Sequence, residues 1–341
     1  MPRLWSEYRR RFRLRVRRQW LLARAIRRHR RLRPVVDRTR AIAPGDILLF
    51  MAMRNEAPRL PYFLDYYRRL GVGHFLVVDN ESEDGGREFL ADQSDVSLWR
   101  TAASYKGARF GMDWMNWLLF RHGSGHWCLT VDPDEFLIYP HHDSRPLRAL
   151  TDWLDAGNMR AFSAMLLDMY PREAQATAAY RPGDDPFRTL RWFDPGNYVI
   201  RKNREYGNLW IQGGPRARLF FADAPQSAPA LNKIPLVRWR RGYVYASSTH
   251  MLLPRALNRV YDENGGERAS GCLLHAKFLP SFAQKAAEEL TRRQHYAGGR
   301  EYAAYHAGLA HGPDFWCPQS CEYDDWRQLE DLGLISRGNW A

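Results

Sequence analysis

Four short apolar runs, separated by stretches with helical spacing, constrain this chain more than any other feature. They are Ile47–Met53, His74–Asp79, Val96–Trp99 and Trp127–Val131. Each has the length and continuity of a strand buried on both faces. Between them, Arg59–Leu70 has helical periodicity and stops before Gly71, a good residue for leaving a helix. Gly86–Asp92 and Met112–Arg121 read as helices, the latter rich in Trp and Leu. The alternation predicts an α/β fold, a mixed, mostly parallel sheet flanked by helices. In such sheets ligands bind beyond the carboxyl ends of the strands. Met159–Leu167 is a further candidate central strand; residues 170–235 read as loop-rich; Ala283–His295, Arg300–Leu309 and Asp324–Leu332 read as helical.

Charge separates the chain into unlike parts. Residues 1–40 hold sixteen arginines, no lysine and two acids, Glu7 and Asp37, a net +14, so the remainder of this +13 chain sums to −1. A neutral body argues against a nucleic-acid enzyme, which spreads basic charge along its binding face. In residues 1–33 arginines interleave with Leu4, Trp5, Tyr8, Phe12, Leu14, Val16, Trp20, Leu21, Leu22 and Ile26. That pattern suits a helix lying on an anionic membrane surface, and equally a basic tail. Pro34 and Ala43–Pro44–Gly45 mark a linker. The expected organisation is a basic amphipathic arm and linker at 1–43, a body at 44–335 and a tail at 336–341. With 45% apolar residues the length suffices for one large or two small cores. No run of 18 apolar residues or secretory leader is visible, and the four cysteines are irregularly spaced, so the expectation is a cytoplasmic protein with reduced thiols, peripheral at the inner face of the cell membrane. Cys317 and Cys321 with His306 and His311 match no standard zinc spacing.

The chemistry-bearing residues follow the apolar runs. Asp132–Pro133–Asp134–Glu135 ends the fourth. Acids clustered where a buried strand ends require positive charge nearby, and Mn²⁺ or Mg²⁺ with hard oxygen ligands is one solution; a plain polar turn is the other reading. Arg54–Asn55–Glu56 follows the first run, and Asp79–Asn80–Glu81–Ser82–Glu83–Asp84–Gly85–Gly86 the second. Their side chains can read a base and ribose, or merely cap helices.

Met-Arg-Asn-Glu at 53–56, Val-Val-Asp-Asn-Glu-Ser-Glu-Asp-Gly at 77–85 and Asp-Pro-Asp-Glu-Phe at 132–136 together resemble the family 2-type glycosyltransferases of GT-A fold, in particular the bacterial branch related to glycosyltransferase family 92. The resemblance spans residues 46–335 and takes in Gly213–Gly214–Pro215–Arg216, the run Leu273 to Phe278, and Glu301–Tyr302. It implies a metal-dependent hexosyltransferase that moves a sugar, with inversion, from a nucleotide-sugar donor (UDP-linked being the commonest case) to a glycan, lipid-linked or surface-polysaccharide acceptor. Asn55, Glu56, Asp79, Asn80, Arg109, Asp132 and Lys277 would bind the donor. Asp132, Asp134 and His275 would hold the metal, although His275 also reads as a core histidine. Arg216 and Lys233 are further phosphate-facing candidates, and His250 a further polar one. Asp168 would be the catalytic base, with Glu173 as competitor, where many relatives carry a Glu-Asp pair. Two other functions stay open. A nucleotidyltransferase would carry a Gly-rich phosphate loop where this chain has Arg54–Asn55–Glu56–Ala57–Pro58. A non-catalytic, membrane-surface carbohydrate-binding protein would not need Asp132, Asp134 and His275 intact.

Overall fold

In a computed structural model, residues 2–173, 180–261, 268–280, 282, 305 and 314–341 are described. The first three apolar runs become parallel strands β2 (Ile47–Met53), β3 (Val72–Asp79) and β4 (Val96–Arg100), linked by helices α2 (Leu60–Arg69) and α3 (Gly86–Ala91). Helix α4 (Met112–His122) then leads into β5 (Trp127–Thr130), which pairs in parallel with β2 on its other side. The period-2 alternation of β2 and β3 explains why these strands are apolar throughout. Leu49, Met51, Phe75 and Val77 point into one core with α2, while Leu48, Phe50, Leu76 and Val78 point into a second with α4.

Nine strands form the central sheet. The edge strand β1 (Arg33–Val36) pairs antiparallel with β4. Beyond β5 lie β11 (Asn232–Arg238), β7 (Ala161–Asp168), β14 (Gly271–His275) and β6 (Glu135–Ile138). The order is β1-β4-β3-β2-β5-β11-β7-β14-β6. Six strands run one way; β1, β11 and β6 oppose them. The chain winds outward from β2 through β3 to β4, then returns to place β5 on the opposite side of β2. In open α/β sheets ligands bind at such a reversal, at the carboxyl ends of the strands, here β2 and β5.

β6 follows β5 after four residues, yet a flat sheet would separate them by four strand spacings, about 19 Å. A turn closed by Glu135 N–H to Asp132 O (3.0 Å) leaves far less room, so the sheet curls over at this end. The hydroxyls of Tyr66 and Tyr67 on α2 clamp β6 by donating to Leu137 O and Glu135 O, each at 2.7 Å.

The remaining described elements are α5 (Leu147–Ala156), hairpins β9 (Tyr198–Lys202)/β10 (Leu209–Gly213) and β12 (Val244–Ser247)/β13 (Met251–Leu253), the short pair β8 (Trp192–Phe193)/β15 (Cys321–Glu322), α6 (Gly214–Phe220) and α7 (Trp326–Asp331). The expected helices at 283–295 and 300–309, and His306 and His311, lie outside the described residues. The N-terminal arm forms α1 (Pro2–Arg28), and the expected linker after it is structured: Pro34 lies within β1, an edge position that tolerates a missing donor. No helix among the described residues is long and apolar enough to cross a membrane.

Gly271 opens β14, the strand that carries His275. A Cβ there would meet Ile138 O at 2.4 Å and the Phe162 ring at 3.0 Å, the first of which is backbone and cannot yield cheaply. Gly271→Ala is expected to destabilise the protein by about 1–3 kcal/mol. A shift of the urea midpoint measures this, and an unchanged midpoint contradicts the tight β14–β6 contact.

Candidate functional site

Strands β7 and β14 are parallel and end in register, so Asp168 and His275 emerge side by side. Glu135 begins β6 opposite His275, and Ala276 N–H donates to Asp134 O at 2.7 Å. Register alone therefore brings the histidine between two carboxylates. His275 Nε2 lies 3.3 Å from Asp134 Oδ2, and Nδ1 lies 2.6 Å from Asp168 Oδ1. The second oxygen of Asp168 accepts from Arg216 Nε at 2.7 Å. Arg216 lies in the first turn of α6, directly after Gly213, where a Cβ would sit 2.1 Å from Asn197 O and φ is +148°.

Buried cations surround these acids. Lys233 Nζ lies 2.9 Å from Glu135 and 3.6 Å from Asp132. Arg59, buried at the start of α2, pairs with Glu56 at 2.6 Å and donates to Ala276 O at 3.1 Å. Lys277 sits over the Phe282 and Tyr305 rings. Burial disfavours the Asp134 carboxylate, but His275, Arg59 and Lys277 outweigh it and hold its pKa well below the usual range. Burial likewise opposes ionisation of Asp168, and Arg216 and His275 overcome it. For His275 burial favours the neutral ring, yet the two carboxylates raise its pKa. Glu135 moves up, because burial and the neighbouring acids exceed the pull of Lys233.

The expected residues separate into groups. Asp134, His275 and Asp168 meet. Asp132 does not join them: its side chain is 51% exposed beside Lys233. Asp168 is enclosed, with both oxygens engaged, so it lacks the free, accessible oxygen that a base acting on an acceptor needs. In this arrangement its contacts are with His275 and Arg216. Asp79 is also enclosed, accepting from Ser82 N–H (3.0 Å) and Arg87 Nε (2.7 Å); it shapes the loop after β3. Asn55 Oδ1 accepts from Glu83 N–H at 3.0 Å, and Glu56 is tied to Arg59. Asn80 donates to Thr101 O and Ala103 O, and with Arg54, Ser104 and Tyr105 it lines a polar cleft of about 330 Å³ at the ends of β2–β4. A wider cleft of about 730 Å³ continues past Glu81 to Arg30, Arg33, Arg87 and Arg100. Arg109 lies elsewhere: it donates to Ala246 O and faces Asp113 at 3.9 Å, under α1. His250 is kept neutral by burial, with Nδ1 2.5 Å from Asn232 O.

Sequence reasoning missed Arg59 and the role of Glu135. Glu135 stood in the acidic run; Arg59 sits three residues after Glu56, its ion-pair partner, but its contact with Ala276 O, 217 residues away, is what ties it to the site.

Among the described residues no group of three or more His, Cys, Asp or Glu is arranged to hold a metal. A pair is present. Two ligands at about 2.1 Å from one cation, at right angles, stand roughly 3.0 Å apart, close to the 3.3 Å between Asp134 and His275 Nε2. Asp168 on Nδ1 supplies the carboxylate partner that metal-binding histidines use. Two protein ligands suit a Mg²⁺- or Mn²⁺-type ion whose other positions go to water and substrate phosphates, and do not suit a structural metal. No protein-family model matches this chain, and no curated protein matches it with significant similarity.

Without metal, the raised pKa of His275 links stability to pH. Its contribution is full below its ordinary value of 6.5 and is lost as pH rises through the folded value. The depressed carboxylates act in the opposite sense, contributing above 3.8 and losing that contribution as pH falls. Urea unfolding of wild type and His275→Gln at about pH 6 and about pH 9 reads the first effect: the stability gap narrows as pH rises. A gap that is constant or widens contradicts the doubly paired histidine.

Proposed function

We propose that this protein is a divalent-metal-dependent glycosyltransferase of the GT-A kind, moving a sugar from a nucleotide-sugar donor to a glycan or lipid-linked acceptor. The observation that carries the reading is the Asp134–His275 pair, backed by Asp168 and Arg216. It stands at the carboxyl edge of a sheet whose strand order reverses at β2 and β5, where nucleotides bind in doubly wound folds. The polar cleft beside Asn80 and Arg54 lies on the same edge and suits the nucleoside end of a donor.

Asp134 and His275 would hold Mn²⁺ or Mg²⁺. That ion, when bound, neutralises charge on the leaving nucleoside diphosphate. Lys277, whose charge already acts on Asp134, adds a cation beside the departing phosphates. Asp168 keeps a proton on His275 Nδ1, leaving Nε2 with its lone pair for the metal. Arg216 holds Asp168 ionised and aimed. Lys233 fixes the turn that presents Asp132 and Asp134 by gripping Glu135.

A panel of nucleotide sugars, assayed for turnover with and without Mn²⁺, tests the reading. One donor is turned over only with metal, and Asp134→Ala abolishes the activity. Turnover instead of a nucleoside triphosphate with a sugar phosphate would establish a nucleotidyltransferase. Binding of sugar without turnover, unaffected by metal or Asp134→Ala, would establish a carbohydrate-binding protein.

Asp168→Asn separates a positioning role from a base. The expected result is a Mn²⁺ requirement raised about 10–100-fold, with kcat nearly restored at saturating metal. A kcat lowered about 10²–10⁴-fold at saturating metal, with metal affinity unchanged, would return Asp168 to the role of base.

A further inference from the structure

Helix α1 has two unlike faces. Leu14, Leu21 and Ala25 are buried, the first two against Val244, Ala246 and Leu253. Arg24 grips Asp113 through both oxygens at 2.9 and 3.1 Å, and Arg28 joins at 3.6 Å. His29 stacks on Trp117. The helix is therefore fastened to the body along its inner side.

On the outer side Trp5, Tyr8, Phe12, Val16 and Trp20 are 51–65% exposed. Their spacings of three and four residues gather them into one stripe about 22 Å long. Five of the nine large apolar side chains exposed among the described residues thus sit on a single helix face, which scattered surface hydrophobics do not do. At 100° per residue, Arg9 and Arg13 flank one edge of the stripe and Arg11 and Arg15 the other, all four exposed, with Arg11 paired to Glu7 and Arg13 to Glu205 at the surface.

We infer that this face docks the protein on an anionic lipid bilayer. The aromatic stripe lies at the acyl boundary and the flanking guanidiniums take lipid phosphates. Charge decides the occupant. A second copy packed stripe to stripe would bring two sets of these arginines together, and nucleic acid would leave the apolar stripe in water. Because the inner face is fastened by Asp113, docking holds the whole body at the surface. Docking does not depend on the sugar-transfer reading; that the acceptor is membrane-borne does rest on it.

Sedimentation of the full chain with phosphatidylcholine vesicles, with and without phosphatidylglycerol, tests docking in the absence of metal or sugar. Wild type binds the anionic vesicles, and the triple variant Trp5→Ser, Phe12→Ser, Trp20→Ser binds roughly tenfold or more weakly. Arg9→Gln with Arg11→Gln and Arg15→Gln weakens binding by a similar factor and flattens its salt dependence. The replaced side chains are exposed, so an unchanged melting curve for both variants separates lost docking from lost folding. Three results would overturn the inference: no binding to anionic vesicles, equal binding by the triple variant, or a dimer in light scattering that the triple variant converts to monomer. Vesicle binding with no transferase activity would leave docking standing and remove only the membrane-borne acceptor.

Discussion

A histidine held between two carboxylates organises this end of the molecule. The ends of β7 and β14 fix Asp168 and His275 side by side, and the last residue of the turn into β6, Asp134, meets the other ring nitrogen. Strand register makes the His275–Asp168 contact, while Asp134 comes from the short β5–β6 turn, which Ala276 N–H and the Glu135–Lys233 pair hold in place. Gly271, Gly213 and the Tyr66–Tyr67 clamp serve the same end, since each fixes an element that carries one of the charged groups.

Buried ion pairs of this kind are costly to desolvate and are weak sources of stability. Their value here is positional. Arg216 with Asp168, Lys233 with Glu135 and Arg59 with Glu56 leave few ways to arrange the acids that do not strand a charge. The result is one carboxylate, Asp134, whose described partner at the ring is His275 Nε2, while the neighbouring acids are held by Arg216, Lys233 and Arg59. In the proposed reading a divalent ion would join that pair, with its other ligands coming from the substrate.

The winding of β2 to β5 was legible in the sequence because each strand is buried on both faces and reads as an unbroken apolar run. Of the strands that complete the site, β7 was legible as the run Met159–Leu167, but β11 and β6 were not. β11 carries Pro235, which argues against a central strand; the structure accommodates it with a register shift between Lys233 and Leu236. β6 begins with Glu135, buried only because Lys233 meets it from a strand about a hundred residues later in sequence. For the same reason Asp168 read as a base: a lone acid at a strand end gives no sign that a distant arginine and histidine will use both its oxygens. Asp132, Asp134 and His275 were visible as candidates, but not that Asp132 would turn outward. The arm's apolar and basic interleaving was plain, whereas its two faces required knowing what Leu14 and Leu21 pack against.

The central claim is that Asp134 and His275 share one divalent ion beside the donor phosphates. Pulsed electron paramagnetic resonance of Mn²⁺ bound with a nucleoside diphosphate tests it most directly. The account predicts a nitrogen coupling to Mn²⁺ from one imidazole, lost in His275→Gln while the phosphorus coupling from the nucleotide persists. Mn²⁺ bound by the protein with nucleotide but showing no nitrogen coupling would contradict it.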